Sequence, residues 1–340
     1  MKPFSENFDE TLAALGEIKL IERIRSIAEK ISPPAPRGIG DDCAVLPVVP
    51  EKFAVPADVP ADEKNATLTK KNLRRLTKTD SVVFGKHFDA SVAPEDVGRK
   101  LVNRNISDVA ATGGVPADAL LALVMSDDVS AAWFERFIRG VCDACGTCAI
   151  ELSGGDIASA PGPRFFSASL ALTAFAENPL LRRAGTRVGD VLFVTGTLGG
   201  SILRKHFAFR PRLAEGRFLA SLAAGTVRAC MDVTDGLLKD HAALLPAGTH
   251  AEFDFDALPI SDDARALGGD LTVRAFCDGE DYELLFVIAA ETAEKFEKSW
   301  RKRFPKTRLT RIAKIAPGAE NAALSRRLGA AHAYEHFRSK

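Results

Sequence analysis

Six aspartates in this sequence stand where a tight backbone can present a carboxylate at close range. Asp41 follows Gly40, Asp156 follows Gly154-Gly155, and Asp235 precedes Gly236. Asp80 is expected at the start of a strand, Asp108 on a helix three residues after Asn105, and Asp232 at a strand end. Glycine beside a carboxylate lets the chain turn sharply against whatever the carboxylate binds, and strand ends are where α/β proteins place ligands. One Gly-Asp turn says little, because most are solvent-facing turns and caps. Several together say more: converging carboxylates repel, and protons or cations must relieve them. An oxygen-rich cluster suits Mg²⁺, which bridges protein carboxylates to substrate phosphates. An acidic pocket can receive an anionic nucleotide only through such a bridge.

Other phosphate chemistry is poorly represented. No G-x-x-x-x-G-K-[ST] loop occurs, and Gly196-Thr197-Leu198-Gly199-Gly200-Ser201, which follows a strand, lacks the lysine and reads as a tight turn. The protein-kinase signature set is absent. Cys142, Cys145 and Cys148 form a C-x-x-C-x-x-C run that could feed a metal. With no nearby fourth ligand, the spacing reads instead as thiols finishing a helix and opening a buried strand.

These residues need elements to hold them. Lys plus Arg equals Asp plus Glu at 45 each in 340 residues, a balance that argues against nucleic-acid or anionic-membrane binding. The N-terminus, MKPFSENFDE, lacks the basic-then-apolar order of a secretory signal. The apolar run 165–176 is too short to span a bilayer. A cytoplasmic protein is expected. A polar arm leads to a helix over 16–30, whose apolar residues recur at helical spacing until Pro33, Pro34 and Pro36. Residues 50–77, proline-rich and then basic, read as an exposed excursion. Strands are expected over 79–84, 119–125, 148–152, 165–175, 191–195 and 282–288, with helices over 94–113, 130–143 and 292–303. Residues 153–156 would then be a turn. A composition break at 177–189 divides residues 1–177 from 178–340, giving an α/β (α+β) protein of two lobes.

Read together, these motifs resemble the thiamine-monophosphate kinase family, whose superfamily includes aminoimidazole ribonucleotide synthetase, selenophosphate synthetase and a hydrogenase-maturation protein. The blocks that carry the resemblance are GIGDDCAVL (38–46), TDSVVFGKHF (79–88), NISDVAATGGVP (105–116), GGDIA (154–158), RAGTRVGDVLFVTGTLGGS (183–201), MDVTDGLLKD (231–240), GEDYELLF (279–286) and AYEHF (333–337). They span nearly the whole chain. The combination of TD…HF, DVTDGL and GEDYELLF is the most specific part.

The resemblance implies a two-lobed aminoimidazole ribonucleotide synthetase-like fold. Its N-terminal ATP- and Mg²⁺-binding lobe would pair sheets in a homodimer, and a C-terminal α/β lobe would complete the active site. It implies several Mg²⁺ ions held by Asp41, Thr79, Asp80, Asp108, Asp156, Asp232 and Asp235, with Asp108 and Asp235 catalytic. ATP would be met by Gly155, Asp156, Arg183, Thr234 and Ile138, and thiamine monophosphate by His87, Glu280 and Tyr334. Each residue alone also has an ordinary structural reading as a turn, strand, linker or core residue. The chain departs from the family pattern at Lys78, Phe84, Arg104, Ile138 and Asp278. The implied reaction is in-line transfer with no phosphoenzyme. The acceptor phosphate is already largely anionic near neutral pH, because its second pKa is about 6, so no strong base is needed. Rival readings are a superfamily enzyme with another acceptor and a weak nucleotide- or thiamine-binding protein.

Overall fold

The computed structural model describes residues 1–31, 73–177, 179–319 and 321–333. Two compact units result: Met1–Val109 with Gly114–Asn178, and Ala110–Gly113 with Pro179–Lys340. Among the described residues, no helix is long and apolar enough to cross a membrane.

The first unit is built on four strands, β1 (Leu73–Val83), β2 (Val115–Met125), β3 (Glu151–Ser159) and β4 (Phe166–Glu177), in the order β1-β4-β2-β3. β4 runs antiparallel to β1 and β2, while β3 lies parallel to β2. Alternation along β2 buries Ala119, Leu121, Leu123 and Met125 and leaves Leu120 and Val124 exposed. The buried core takes Val97, Leu101 and Ile106 from the helix Pro94–Thr112 and Trp133, Phe137 and Ile138 from the helix Ala131–Thr147. Trp133 and Phe137 meet Phe166 of β4 edge-on, with ring centroids 5.0 and 5.1 Å apart. Pro94 opens its helix with Glu95 and Asp96 in the first turn, and Ser130 caps the other, accepting from the Trp133 amide. The helices touch backbone to backbone at Gly98 and Gly140, and Arg136 clasps Glu95 between them at 2.6 and 2.8 Å.

Three expectations change here. Residues 73–77 belong to β1 rather than to an exposed excursion, and Asp80 lies deep in that strand rather than at its start. Gly154-Gly155-Asp156 is strand and not turn: it pairs with Leu120, Leu121 and Ala122 of β2 beyond a register shift at Ala119/Leu120. The helix bearing Cys142 and Cys145 runs on to Thr147, with Cys148 as its cap, and all three thiols are buried. Burial pushes the Cys142 thiol up to about 12, the adjacent Asp143 charge adding to it, so it stays protonated.

The second unit is a five-stranded antiparallel sheet ordered β6-β8-β5-β9-β7, from β5 (Val191–Thr195), β6 (Val227–Asp232), β7 (Thr249–Phe253), β8 (Leu284–Ile288) and β9 (Leu309–Pro317). β5 and β8 are buried along their whole length, as a sheet covered on both faces requires. On one side Leu192, Val194, Leu285 and Val287 pack with Met231 and Phe276. On the other, Phe193 and Phe286 pack against Phe296 of the helix Ala293–Arg303, whose Trp300 also meets Phe286.

The Gly98–Gly140 crossing is testable. A methyl group at Gly140 would run into the Glu95 carbonyl. Gly140→Ala should therefore cost about 1–3 kcal/mol by urea unfolding. Helix propensity alone would give a gain of up to about 1 kcal/mol, so a stabilised variant would show that the helices do not touch there.

Candidate active site

Strand alternation places Lys78 and Asp80 on one face of β1 and Thr77, Thr79 and Ser81 on the other. On the helix Pro94–Thr112, Arg104 and Asp108 are four residues apart and share a face. These two elements bring Asp80 and Asp108 together. The Lys78 ammonium lies 3.5 Å from Asp80 Oδ2 and 3.1 Å from Asp108 Oδ2. Arg104 Nε lies 3.6 Å from the same Asp80 oxygen, while its guanidinium donates to the Ser81 carbonyl at 2.6 Å. Two carboxylates are thus matched by two cations.

The remaining first-unit candidates lie elsewhere. Thr79 points from the opposite face of β1, so its side chain does not join Asp80. Asp156 is exposed on β3, the far edge strand, with two strands between it and β1, or about 14 Å along the sheet. Gly155 sits so close to the Leu121 carbonyl that no Cβ fits. Ile138 is fully buried among the helix-core residues, so it offers a nucleotide no surface. His87 closes the turn after β1, with its Nδ1 accepting from the Val83 amide at 3.1 Å and its own amide donating back to the Val83 carbonyl at 2.9 Å. Phe84 packs edge-on against Phe4 and Phe88. Asp41 and Tyr334 lie outside the described residues.

In the second unit, two acidic turns interlock. β6 ends at Asp232, which is 1% exposed. Beyond it, the Val233 amide donates to the Glu283 carbonyl at 2.8 Å, Tyr282 donates to Val233 at 2.8 Å, and Glu280 donates to Thr234 at 2.7 Å. The Thr234 and Asp235 amides turn inward to the Asp240 carboxylate at 2.8 and 3.0 Å. Burial pushes the Asp240 carboxyl up to about 6; these amides oppose the rise and the Asp235 charge adds to it. Gly236 has φ +106° and lies against the Phe276 carbonyl, so no other residue fits the turn. Asp235 pairs with Lys239, one helical turn on.

Glu280 and Tyr282 both have positive φ, 52° and 50°, a strain that only a heavily bonded loop sustains. The Glu280 carboxylate is fixed from two sides, by His206 Nδ1 at 3.3 Å and by the Tyr282 hydroxyl donating at 3.2 Å. Glu283 is 2% exposed. It accepts from Thr195 at 2.7 Å and from Arg212 at 2.7 and 3.0 Å, and it meets the Lys205 ammonium at 2.9 Å. Burial would raise the Glu283 carboxyl, but Lys205 and Arg212 outweigh it and hold the group below its usual range. The Gly-rich loop after β5 is occupied from within: Gly199 N–H donates to Asp281 at 3.0 Å and Gly200 N–H to Asp278 at 2.7 Å. A loop whose amides already hold carboxylates is a tight turn and not a phosphate cradle. Arg183 is exposed just beyond the start of this unit.

Sequence reasoning did not single out His206, Tyr282, Asp240, Lys205, Arg212 or Glu283. Asp240, Tyr282 and Glu283 lie inside the quoted blocks, and their signal was the density of acid around an apolar strand. His206, Lys205 and Arg212 carried no motif.

Mg²⁺ asks for oxygen ligands at about 2.0–2.1 Å and commonly takes one or two carboxylates with substrate phosphates. The exposed Asp156 and the partly exposed Asp235 offer such oxygens. The Asp80–Asp108 gap does not fit, because an ammonium lies against both carboxylates. Among the described residues, no group of three or more His, Cys, Asp or Glu could hold a metal ion.

The comparisons agree with this architecture. Residues 40–176 match the family model "AIR synthase related protein, N-terminal domain", and residues 187–321 match the corresponding C-terminal domain. Fold and motif turns together define a two-domain AIR synthase related protein. Within that class the chain belongs to the thiamine-monophosphate kinase family. It is 33% identical over 268 residues to the thiamine-monophosphate kinase of Rhodopirellula baltica, covering 77% of this chain and 79% of that protein. The crystal structure of thiamine-monophosphate kinase from Stenotrophomonas maltophilia K279a superposes with a TM-score of 0.68 at 28% identity, over 88% of this chain and 94% of that one. AaThiL complexed with AMPPCP and TMP gives a TM-score of 0.63 at 27% identity, over 91% and 93% of the two chains.

Two outcomes follow from the buried charges. Glu283→Ala leaves Lys205 and Arg212 without their shared carboxylate and should cost about 3 kcal/mol in denaturant unfolding; a loss below about 1 kcal/mol would mean that their second partners, Asp281 at 3.8 Å from Lys205 and Glu215 at 3.7 Å from Arg212, suffice to neutralise them. Burial pushes the Asp281 carboxyl up to about 7, with Lys205 opposing and Glu283 adding to the rise. Between pH 4 and 7 the unfolded chain is therefore ionised at this residue while the folded chain keeps its proton. Its contribution is fully present below about pH 4 and is lost as pH rises through 7. Stability-versus-pH curves should show this decline in the parent protein and lack it in Asp281→Asn, the two diverging by at most about 1.4 kcal/mol per pH unit. Parallel curves would place the titration elsewhere.

Proposed function

We propose that this chain transfers the γ-phosphoryl group of ATP to the phosphate of thiamine monophosphate, giving thiamine diphosphate and ADP. One observation carries the reading: the DVTDG and GEDYE turns that mark the family are locked together by backbone hydrogen bonds, fixing Asp235 and Glu280 on one framework. An acceptor oxygen attacks the γ-phosphorus as the bond to the β-phosphate oxygen breaks, and ADP leaves with the electron pair. That oxygen is largely deprotonated already, so the protein needs no strong base, and no phosphoenzyme forms.

The rate then comes from positioning and charge. Asp235 and Asp108 are the carboxylates we assign to catalysis. Gly155, Asp156, Arg183 and Thr234 are assigned to ATP. His87, Glu280 and Tyr334 are assigned to thiamine monophosphate. Thiamine carries a cationic thiazolium ring, and a carboxylate held by His206 and Tyr282 suits such a cation. Mg²⁺ bound with the nucleotide would supply neutralisation of phosphate charge; Asp156 and Asp235 are the accessible carboxylates proposed to hold it with the phosphates, and Asp232, 1% exposed, ends the strand before the Asp235 turn. A homodimer is proposed through the first unit's sheet, whose open face bears the exposed Leu120 and Val124. A cytoplasmic location accords with ATP as the donor.

Product analysis tests the assignment. Purified protein given ATP, Mg²⁺ and thiamine monophosphate should form thiamine diphosphate. Asp235→Asn should lower kcat about a hundredfold or more. It should change stability little, because its Lys239 pair is a partly exposed i,i+4 contact worth about 0.5 kcal/mol. Full activity in that variant, or turnover only with another acceptor, would overturn the reading.

A further inference from the structure

Asp80 and Asp108 approach each other from a strand and a helix, and what meets both is the Lys78 ammonium, at 3.5 and 3.1 Å. Lys78 is two residues before Asp80, so the strand's own alternation aims it at the same face. Arg104, 16% exposed, adds a second positive charge beside Asp80 and is tethered by its bond to the Ser81 carbonyl. A divalent ion coordinated by both carboxylates would have to lie about 2 Å from the oxygens that the ammonium now meets. The two cations would repel at that range. The pair has also lost its attraction for a metal, since two negative charges already face two positive ones.

We propose that Lys78, supported by Arg104, is a built-in counter-cation that takes the place of one divalent ion at the Asp80–Asp108 pair. This deepens the kinase reading, in which those carboxylates serve phosphoryl transfer. The chain keeps a fixed single charge where an exchangeable double charge would otherwise sit. Its demand for free Mg²⁺ is lower by one ion, and the geometry of the pair no longer depends on metal concentration.

The test counts bound metal and needs neither ATP nor acceptor, so it stands apart from the fate of the kinase reading. Mn²⁺ binding to the nucleotide-free full chain is followed by the loss of the free-ion electron paramagnetic resonance signal. Lys78→Thr should bind one more Mn²⁺ per chain than the parent, at least about tenfold more tightly than the parent binds at this pair. Its unfolding midpoint should rise with Mn²⁺ more than the parent's does. Adding Asp108→Asn to Lys78→Thr should remove the gained ion. Asp108→Asn alone, with Lys78 in place, should leave the count unchanged, and this arm is informative even if Lys78→Thr folds poorly. An equal count in the parent and Lys78→Thr, or an ion lost on Asp108→Asn alone, overturns the proposal.

Discussion

A carboxylate drawn out of water must find a positive charge, an amide or a proton, and that requirement organises both units of this protein. Each acidic group near the motif turns meets it differently. Asp80 and Asp108 share Lys78, and Asp80 also meets Arg104. Glu283 takes two cations and a hydroxyl. Asp240 takes backbone amides. Asp281, fully buried, has an amide on one oxygen and no hydrogen-bond partner among the described residues on the other; burial, with the Glu283 charge adding to it against Lys205, pushes its carboxyl up to about 7. A protein that handles two anionic phosphates gains from having its own acid settled first, because any carboxylate left uncompensated would repel both substrates.

Settled charge also explains the strained backbone. Glu280 and Tyr282 would not adopt positive φ in an unconstrained loop. Here their amides donate to Thr234 and Val233, and their side chains bond to each other. Phe209 stacks on Tyr282 with ring centroids 3.8 Å apart. The strain is sustained because each end is held, and the result is a carboxylate whose direction is set by the scaffold rather than by a flexible side chain.

Much of this was legible in the sequence, and the exceptions have physical causes. The Val191–Thr195 strand and the helices at 94–112 and 293–303 were readable because apolar periodicity and Gly or Pro punctuation agreed. β1 was cut short because its first residues include Arg74, Arg75 and Lys78, and basic residues on an edge strand look like an exposed loop. The Gly154-Gly155-Asp156 run looked like a turn because Gly155 answers to close backbone packing beyond a register shift, which no local pattern reveals. Lys78 and Arg104 were visible as departures from the family pattern. Their meaning needed the third dimension, since only strand-to-helix packing brings Lys78 to Asp108 and Arg104 to Asp80.

The same packing shows why an ammonium is no simple equivalent of a metal ion. Magnesium brings two charges, strict octahedral geometry and ligand positions that a phosphate oxygen can enter. A lysine brings one charge, donors only, and a stem whose root is fixed in β1. It can neutralise a carboxylate or attract a phosphate, but it cannot join one to the other by coordination. The Lys78 ammonium beside Asp80 and Asp108 therefore compensates charge without offering a coordination site, and the tightest geometry near the motif residues lies in the turn that follows Asp232 and carries Asp235. That turn is where the structure concentrates its constraint: a glycine that no other residue can replace, two amides anchored to Asp240, and a neighbouring loop held under strain.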